Sequence, residues 1–556
     1  MDKILVLDFG SSTAAQAAQC VRELGVYCEL VPGETPLTDE LLGKAGGTGS
    51  HTVKGIILSG SLNSVYSKEG LKPDPRLYTC GLPILGICYG HQRINYDNGG
   101  KVEATGEREL GLVEVKGNFP APTESFADPE CTRRFFAAFD PGISLKAIKE
   151  GAATSSSGEW RLNTWMRHND ALTSIAPGFR QYGVSAGGWS SVIVHESKPW
   201  FGLQFHAEDP RNERRLEIFA AFVMGVSRCT PFWIAEKFAE EARSYIIGKV
   251  GKNPVLLLIS GGVDSTVVAA LLLKALDPDQ VHLMYMDTGL MRKDETKSVK
   301  ASLERLGARH ITILNCENEF LGALKGITDP EAKRRAIGDL FISRQERVTA
   351  RLGLPESCFL AQGTIYPDVL ESGKEDGKNA KLVKSHHNVG SPLVDAKRKA
   401  GLVVEPLEKL YKYQVRDLGR FIGVDEEVLK RHPFPGPGIS VRILGEVTKE
   451  RCDLLREADA IYIEELKKRN LYDEIWQAFA VLLPIRSTGV AAGERKYGSV
   501  LALRAINTTD AMTAEVYPFQ TRDLLEISSR ITSTIKEIGR VVYDISSKPP
   551  ATIEWE

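Results

Sequence analysis

Short apolar runs alternate with helix-length amphipathic segments along the first 430 residues of the chain. Apolar runs of this length, bounded by turn residues, are typical of buried strands. The predicted strands are KILVLDFG (3–10), YCELVP (27–32), GIILSG (55–60), LPILGI (82–87), VLLLI (255–259), VHLMYMDTG (281–289) and HITILN (310–315). Strands that alternate with helices in this way predict a doubly wound α/β fold, with ligands at the carboxyl ends of the strands.

The pattern changes at RHPFPGPG (431–438), where three prolines prevent both a helix and a central strand. Beyond it, the sequence predicts strands at SVLALRAI (499–506) and RVVYDIS (540–546) and a helix over RDLLEISSRITSTIKEIG (522–539). This mixture indicates an α+β region. We therefore expect three domains: an α/β domain over 1–225, a second α/β domain over 226–430 and an α+β domain over 431–556.

The length of 556 residues agrees with several domains, because one core rarely supports so long a chain. A formal charge of −2 shows no basic excess, which argues against a general nucleic-acid binder. No apolar run reaches membrane-spanning length, and the start lacks the layout of a signal peptide. The nine cysteines are scattered without a C-x-x-C pair, which argues against a disulfide framework or a zinc ribbon. We expect a soluble cytoplasmic protein that binds neither nucleic acid nor membrane.

The first chemical signal is SGGVDS, the turn between the strand VLLLI and the helix that follows. Backbone amides and the helix dipole converge at such a turn and hold phosphate. The loop lacks the lysine of a Walker loop, and its two hydroxyls suit a terminal pyrophosphate. Asp264 would meet phosphates only through a cation such as Mg²⁺. The candidate residues are Ser260, Gly261, Gly262, Val263, Asp264 and Ser265. The alternative is an ordinary glycine-bearing turn.

The second signal is PILGICYGHQ (83–92), in which a buried strand leads directly into G-x-C-x-G. This spacing has the geometry of a nucleophile elbow, which projects the side chain of Cys88. A nucleophilic thiol needs a base held by a third group. His206 and Glu208, on a strand predicted in GLQFHAED (202–209), supply both, since residues two apart in an extended chain point to the same side. Backbone amides near Gly60 and Tyr89 are the candidate oxyanion hole. The alternative is an inert buried cysteine.

With these motifs, residues 1–225 resemble a class I glutamine amidotransferase domain, and SGGVDS resembles the pyrophosphate loop of the N-type ATP pyrophosphatases. The segments RHPFPGPG, QAFAVLLPIRSTGV and GRVVYDISSKPPATIEWE resemble the glutamine-hydrolysing GMP synthetase family over essentially the whole chain. The resemblance implies that ATP, with Mg²⁺, adenylates XMP, and that ammonia from glutamine then displaces AMP to give GMP. It also implies a homodimer formed through the C-terminal α+β domain.

The same resemblance implies roles for further residues by position. It places Lys384 in a lid motif near ATP. It assigns XMP binding to Arg334, Gln477, Arg540, Lys548, Ile553 and Glu554. These residue types suit the ligand, because a nucleotide monophosphate attracts Arg and Lys and a purine edge pairs with a carboxylate or an amide. For each residue alone, solvated surface charge is the competing interpretation.

The chain departs from the family pattern mostly in the glutaminase half. In SGSL (59–62), Ser61 and Leu62 replace the Gly and Pro of the family motif S-G-G-P, beside an oxyanion donor. In RHND (167–170), Arg167 and Asn169 replace the Ser and Gly of S-H-G-D, near the expected position of the glutamine backbone. KYQVR (412–416) replaces a more acidic family segment where the domains communicate. Two rival hypotheses follow: an ammonia-dependent ligase with a weakened glutaminase half, and a nucleotide-sensing module without turnover.

Overall fold

The structure, a computed structural model, describes residues 2–11, 13–43, 51–121, 128–151, 157–372, 392–491, 494–508 and 513–556. The chain divides into two compact units, Met1–Ile234 and Ala235–Glu556. The proposed domain boundaries near residues 225 and 430 stay predictions.

The first unit is built on one nine-stranded sheet with the order β2-β1-β3-β4-β9-β8-β7-β5-β6. Its strands are β1 Asp2–Asp8, β2 Tyr27–Pro32, β3 Thr52–Leu58, β4 Ile84–Ile87, β5 Lys101–Asn118, β6 Glu159–Ser174, β7 Phe179–Ser185, β8 Ser190–His195 and β9 Trp200–Leu203. The first five strands of that order run parallel to one another, and each pairing from β9 through β8, β7 and β5 to β6 is antiparallel.

Side chains on both faces of the parallel half are buried. Along β1, Ile4 and Val6 join one core cluster while Leu5 and Leu7 join the other. Burial on both faces explains why the strand is a continuous apolar run. The four strands predicted from apolar runs in this unit are confirmed, β5 to β8 were not predicted, and β9 overlaps only the start of the strand predicted over GLQFHAED (202–209).

The second unit contains a parallel five-stranded sheet with the order β12-β11-β10-β13-β14. Its strands are β10 Val255–Ile259, β11 Val281–Asp287, β12 His310–Asn315, β13 Phe359–Ala361 and β14 Val403–Val404. The predicted strands at β10, β11 and β12 are confirmed. The SGGVDS loop follows β10, so it lies at the carboxyl edge of this sheet, where ligands of α/β folds bind.

A four-stranded sheet completes the second unit, with β15 Gln477–Ala491, β16 Glu494–Asn507, β17 Glu515–Val516 and β18 Ile538–Tyr543. The predicted helix over 522–539 is too long at its end, because α16 stops at Thr534 and β18 begins at Ile538. The reason is tertiary: Ile538 pairs with Ser499 as β18 runs parallel to β16. The mixed α/β class with a C-terminal α+β region is confirmed.

The described residues also form sixteen α-helices. They are α1 Thr13–Glu23, α2 Tyr89–Asp97, α3 Pro129–Phe136, α4 Leu145–Lys149, α5 Arg215–Ala220, α6 Ala235–Val250, α7 Val263–Ala275, α8 Glu295–Arg305, α9 Glu317–Leu324, α10 Pro330–Arg351, α11 Tyr366–Ser372, α12 Pro392–Lys399, α13 Lys412–Phe421, α14 Glu426–Leu429, α15 Lys449–Lys468 and α16 Thr521–Thr534. No helix in this part of the chain combines the length and apolar character needed to cross a bilayer.

Candidate active site

Cys88 lies in the tight turn between β4 and α2. Its backbone has φ 54° and ψ −102°, a region that residues other than glycine rarely adopt. The flanking glycines permit this turn, because a Cβ on Gly86 would lie 2.5 Å from the carbonyl carbon of Gly90 and a Cβ on Gly90 2.4 Å from the oxygen of Leu58. The turn thus has the strand–elbow–helix geometry that projects a nucleophile.

The thiol of Cys88 is 5% exposed and has polar neighbours on several sides. Its Sγ donates to the carbonyl oxygen of Arg167 at 3.9 Å and accepts from Nε2 of Gln204 at 3.8 Å. The side chains of His206 and Cys88 also interact, and this interaction raises the pKa of the imidazole. The sulfur therefore contacts the base that was predicted for it.

His206 and Glu208 form a buried pair, with Nδ1 of the imidazole 2.9 Å from Oε1 of the carboxylate. Their side chains are 7% and 1% exposed. Burial opposes the charged imidazole, yet the adjacent Cys88 and Glu208 hold the pKa of His206 well above its usual value. The remaining oxygen of Glu208, Oε2, is buried without a hydrogen-bond partner. This arrangement favours an imidazolium oriented by a carboxylate beside the sulfur.

The prediction that a strand carries His206 is wrong. β9 ends at Leu203, and His206 begins a turn in which the amide of Asp209 donates to its carbonyl at 3.0 Å. Asn212 stabilises this turn, since its Nδ2 donates to the His206 carbonyl and its Oδ1 accepts from the amide of Trp165 at 2.7 Å. The turn still brings Glu208 onto the imidazole.

The two candidate oxyanion donors are the backbone amides of Gly60, close to His206, and of Tyr89, next to Cys88 in sequence. A Cβ on Gly60 would lie 3.2 Å from Cε1 of His206, so this backbone contacts the imidazole. Tyr89 is the first residue of α2, where amides have no acceptor within the helix. The next amide, of Gly90, donates to Ser59. The Tyr89 amide is therefore the one beside the sulfur that is suited to bind an oxyanion.

The residues that depart from the family pattern affect the thiol little. Leu62 is 82% exposed, and the side chain of Arg167 is exposed while only its carbonyl contacts Cys88. Asn169 is exposed and accepts from Nε of Arg108 at 2.7 Å. These positions thus leave the contacts of the thiol in place.

The SGGVDS loop joins β10 to the N-terminus of α7. Its two hydroxyls, Ser260 Oγ and Ser265 Oγ, lie 3.2 Å apart, and each contacts the loop backbone. Gly261 has φ 80°. Val263 and Asp264 open α7, so their amides belong to the first turn of a helix, where phosphates bind. The loop is therefore built as an anion cradle.

Asp264 combines a cation contact with an unsatisfied oxygen. Its Oδ2 accepts from Nζ of Lys412 at 2.5 Å, and its Oδ1 is buried without a partner. An unsatisfied carboxylate oxygen beside a phosphate cradle fits Mg²⁺, which proteins bind through one or two carboxylates together with substrate phosphates. Within the described ranges, no group of three or more His, Cys, Asp or Glu residues could hold a metal ion by itself. The fit thus depends on the nucleotide for the remaining ligands.

RHPFPGPG links the loop to the C-terminal sheet and forms neither helix nor strand before Gly438, as predicted. Nη1 of Arg431 donates to the carbonyl of Gly261 at 3.1 Å. His432 stacks on Tyr472 with ring centroids 3.9 Å apart and receives the amide of Ala478 at Nδ1. Burial lowers the pKa of His432 to about 4, so this histidine is a neutral structural group.

The residues predicted for XMP gather mostly at one segment, residues 546–556, which we call the C-terminal segment. Gln477 is 3% exposed and donates to Oε1 of Glu554 at 2.9 Å, and Nη2 of Arg334 donates to the Glu556 carbonyl at 2.6 Å. Lys548 and Ile553 belong to the segment itself. Arg540 is exposed on β18 and, within the described part of the chain, makes no hydrogen bond or ion pair with these residues.

Buried cations hold the C-terminal segment in place. Arg442 contacts both carboxylate oxygens of Glu554, at 3.0 and 2.8 Å, and Lys333 pairs with Glu556. The side chains of Lys333 and Arg442 are 0% and 1% exposed. Arg504, also buried, donates to three carbonyls of the segment, those of residues 546, 552 and 553. The segment is thus an ordered part of the unit.

Sequence reasoning missed Gln204, Lys412 and Arg442. Gln204 lies inside the motif that revealed His206, where a buried amide between apolar residues was the available signal. Lys412 and Arg442 contact partners 148 and 112 residues away, so no local pattern could identify them. Lys384, predicted near ATP, lies outside the described residues.

Comparison with known proteins matches three parts of the chain to families. The glutamine amidotransferase class-I profile matches residues 5–226, the NAD synthase profile residues 236–357 and the GMP synthase C-terminal domain profile residues 464–555.

Curated relatives match over the full length. Glutamine-hydrolyzing GMP synthases from Chlorobium chlorochromatii and Actinobacillus pleuropneumoniae are each 41% identical to the chain, covering all of it and 100% and 99% of the relatives. The Coxiella burnetii enzyme of the same name is 39% identical over all of this chain and 98% of its own. At this identity over its whole length, the chain belongs to the family of glutamine-hydrolyzing GMP synthases.

Proposed function

We propose that the chain converts XMP to GMP, consuming ATP, glutamine and water and releasing AMP, pyrophosphate and glutamate. The observation that carries this proposal is the contact of Cys88, in its elbow, with the buried His206–Glu208 pair. The SGGVDS cradle in the second unit supplies the other half of the reaction. Membership of the family supports the pairing of the two chemistries.

In the first unit, the sulfur of Cys88 attacks the side-chain carbonyl of glutamine. His206 takes the thiol proton and returns it to the leaving nitrogen, so that ammonia departs and a thioester remains. The amides of Tyr89 and Gly60 bind the oxyanion of the tetrahedral intermediate. Water, deprotonated by His206, then hydrolyses the thioester to glutamate. Glu208 stays charged and orients the imidazole throughout.

In the second unit, the C2 oxygen of XMP attacks the α-phosphorus of ATP. Pyrophosphate leaves, held by the Ser260 and Ser265 hydroxyls and the first amides of α7, and adenyl-XMP forms. Ammonia then attacks C2 of the purine and AMP departs, which gives GMP. This use of the loop explains why it lacks the lysine that γ-phosphoryl transfer by a Walker loop requires.

Mg²⁺ bound with ATP would neutralise the charge of the departing pyrophosphate. Asp264 would hold it through the unsatisfied Oδ1, and Lys384 would lie near ATP. XMP would contact Arg334, Gln477, Arg540, Lys548, Ile553 and Glu554. The association of Gln477, Arg334 and Glu554 with one buried-cation cluster supports this assignment.

We further propose that the chain acts in the cytoplasm as a homodimer joined through residues 431–556. Large apolar side chains exposed in this region support an interface: Ile485, Tyr497, Leu525, Val542 and Ile545. All nine cysteines are free, which suits a reducing compartment. Its substrates would be small molecules, with no role for nucleic acid or membrane. Analytical ultracentrifugation tests the dimer.

Product analysis with amide-¹⁵N-glutamine, XMP, ATP and Mg²⁺ tests the reaction. The expected products are ¹⁵N-labelled GMP, AMP and pyrophosphate in equal amounts. Unlabelled GMP formed only from added ammonium would identify a ligase with a failed glutaminase half. ADP and inorganic phosphate as main products would overturn the pyrophosphatase assignment, and the absence of pyrophosphate would indicate a module without turnover.

A further inference from the structure

A chain of buried amides leads to the sulfur of Cys88. Nε2 of Gln204 donates to Sγ at 3.8 Å, Nε2 of Gln92 donates to Oε1 of Gln204 at 3.1 Å, and the same Nε2 of Gln92 donates to the carbonyl of Asp170 at 2.8 Å. Gln204 is 0% and Gln92 4% exposed, so both amides are shielded from water. We propose that Gln204 is a further catalytic residue that donates a hydrogen bond to the Cys88 thiolate, and that Gln92 positions its amide.

The direction of the hydrogen bonds between these amides follows from the end of the series at the Asp170 carbonyl. A backbone carbonyl only accepts, so the oxygen of Asp170 requires the –NH₂ group of Gln92 to face it. The second N–H of that group then faces Gln204, which must present its oxygen and therefore turn its own –NH₂ to the sulfur. The orientation of both amides, which electron density alone seldom distinguishes, is thus fixed by a main-chain atom.

The anchor carbonyl is itself held by the segment RHND. Nδ1 of His168 lies 3.0 Å from the Asp170 carbonyl, and Nε2 lies 2.9 Å from Oε2 of Glu109. The Asp170 carboxylate accepts from the hydroxyls of Ser64 and Tyr66. The chain of amides therefore ends in a bonded network.

The donor matters because the thiolate is the reactive form of cysteine. A hydrogen bond to an ionised acceptor is stronger than one to a neutral group. Gln204 thus stabilises the negative charge that forms on the sulfur when His206 takes the thiol proton. Because the amide has one fixed orientation, it also determines which sulfur lone pair remains for attack on the substrate. Gln204 cannot act as a base, so its contribution is to the charged state of the sulfur.

This inference rests on Cys88 being the nucleophile, and alkylation of Cys88 tests it without turnover. The full chain is treated with iodoacetamide across pH, and the peptide that carries Cys88 is quantified by mass spectrometry. Gln204→Met keeps a similar length and removes the donor. Gln204→Glu keeps the shape and places a negative charge at the sulfur. Ser191→Ala is the matched control, because the Ser191 carbonyl holds the backbone amide of Gln204 while its hydroxyl contacts Trp189.

We expect the pH midpoint of alkylation to rise by about one to two units in Gln204→Met, since a hydrogen bond to a charged group is of that order. The rise should be larger in Gln204→Glu and absent in Ser191→Ala, and the limiting rate at high pH should be unchanged. An unmoved midpoint, or a lower rate at every pH, would overturn the proposal, because packing alone would then explain Gln204.

Alkylation of the other cysteines would mark unfolding of Gln204→Met. In that case the pH midpoint of alkylation is measured in Gln92→Leu instead. This substitution keeps the Gln204 amide but removes the hydrogen bond that fixes its orientation. Glutamine-dependent GMP formation by Cys88→Ala is measured in parallel. Activity there would refute the nucleophile itself, whereas an unmoved midpoint with an inactive Cys88→Ala would refute only the role of Gln204.

Discussion

Nζ of Lys412, on α13, lies 2.5 Å from Oδ2 of Asp264 in the SGGVDS loop. A Walker loop carries its lysine within its own sequence, whereas this loop receives one from a residue 148 positions away. The two side chains are 41% and 27% exposed, so the pair contributes little to stability. We infer that the pair serves the reaction, in which the ammonium group of Lys412 turns from Asp264 to the pyrophosphate.

Lys412→Met should lower kcat/KM for ATP by about ten- to hundredfold, because a hydrogen bond from a cation to phosphate is worth ~1.5–3 kcal/mol. The loss should be equal with glutamine and with ammonium, since both routes need the adenylate. Steady-state kinetics with each nitrogen source measures it. The matched control is Lys430→Met, which breaks an exposed pair with Asp473 and should change nothing. Normal ATP kinetics in Lys412→Met would remove the lysine from the phosphate site.

Asp264→Ala should lose GMP formation with glutamine and ammonium alike, because the carboxylate is the candidate ligand for the cation that accompanies ATP. Removal of Mg²⁺ by a chelator should have the same effect in the unaltered protein. The release of AMP and pyrophosphate measures both. Asp473→Ala, from the exposed pair, should retain activity. Full activity in Asp264→Ala would mean that the loop holds phosphate by its amides and hydroxyls alone.

Local sequence predicted those parts of the molecule that local forces specify. The parallel strands β2 and β12 are short segments rich in apolar residues, and their predicted bounds match the structure. The long antiparallel pair of β5 and β6 has buried and exposed positions in turn and many charges, so no apolar run identifies it. The end of α16 was misplaced because Ile538 pairs with a distant strand.

The distinction between local patterns and long-range contacts also holds at the candidate active site. Cys88 was predicted because the five-residue motif G-x-C-x-G meets the steric requirement of a tight turn. His206 and Glu208 were predicted because they lie two residues apart. Gln92 and Gln204 meet across 112 residues, and Arg442 and Glu554 also across 112. Contacts of that kind depend on the assembled fold, so only the structure identifies them.

Cys88→Ala should abolish GMP formation from glutamine and retain it from ammonium salts, because ammonia enters the second unit after the thiol has acted. The loss should reach several orders of magnitude, since a nucleophile acts as a unit with its base. The matched control is Cys80→Ala, a half-buried cysteine whose thiol donates to the Leu77 carbonyl. Retained use of glutamine by Cys88→Ala would refute the nucleophile.

The raised pKa of His206 predicts how stability depends on pH. Because its folded pKa lies above the unfolded value of about 6.5, its charge contributes fully below that pH, and the contribution is lost as pH rises through the folded pKa. The difference in Tm between the unaltered protein and His206→Gln should therefore narrow from pH 6 towards alkaline pH, by roughly a few degrees. Thermal unfolding across pH measures it.

His195→Gln is the control of opposite sign, since burial lowers the pKa of His195. A depressed histidine loses its contribution as pH falls through the unfolded value, so the difference in Tm should narrow in acid. Parallel behaviour of the two variants would show that the ion pair of His206 does not control the stability of its unit.

The C-terminal segment should be needed for folding as well as for XMP. Deletion of residues 549–556 would leave Lys333 and Arg442 buried without their carboxylates, which costs about 3–5 kcal/mol for a single broken buried pair. The deletion should therefore lower the midpoint of urea unfolding of the second unit and raise KM for XMP together.

Lys548→Ala should separate the two effects, because the backbone of Lys548, which pairs with Ala514, stays in place while the side chain that we propose for the XMP phosphate is removed. It should weaken XMP binding by about 1.5–3 kcal/mol, the scale of a charge-assisted hydrogen bond, with ATP binding unchanged and a smaller shift of the urea midpoint than the deletion causes. Lys536→Ala, whose exposed side chain contacts the Ser533 carbonyl, is the matched control and should leave KM for XMP unaltered. Suppose that Lys548→Ala has normal XMP affinity while the deletion variant is destabilised as expected. The segment would then serve only to stabilise the second unit, and Lys548 would not belong to the XMP site.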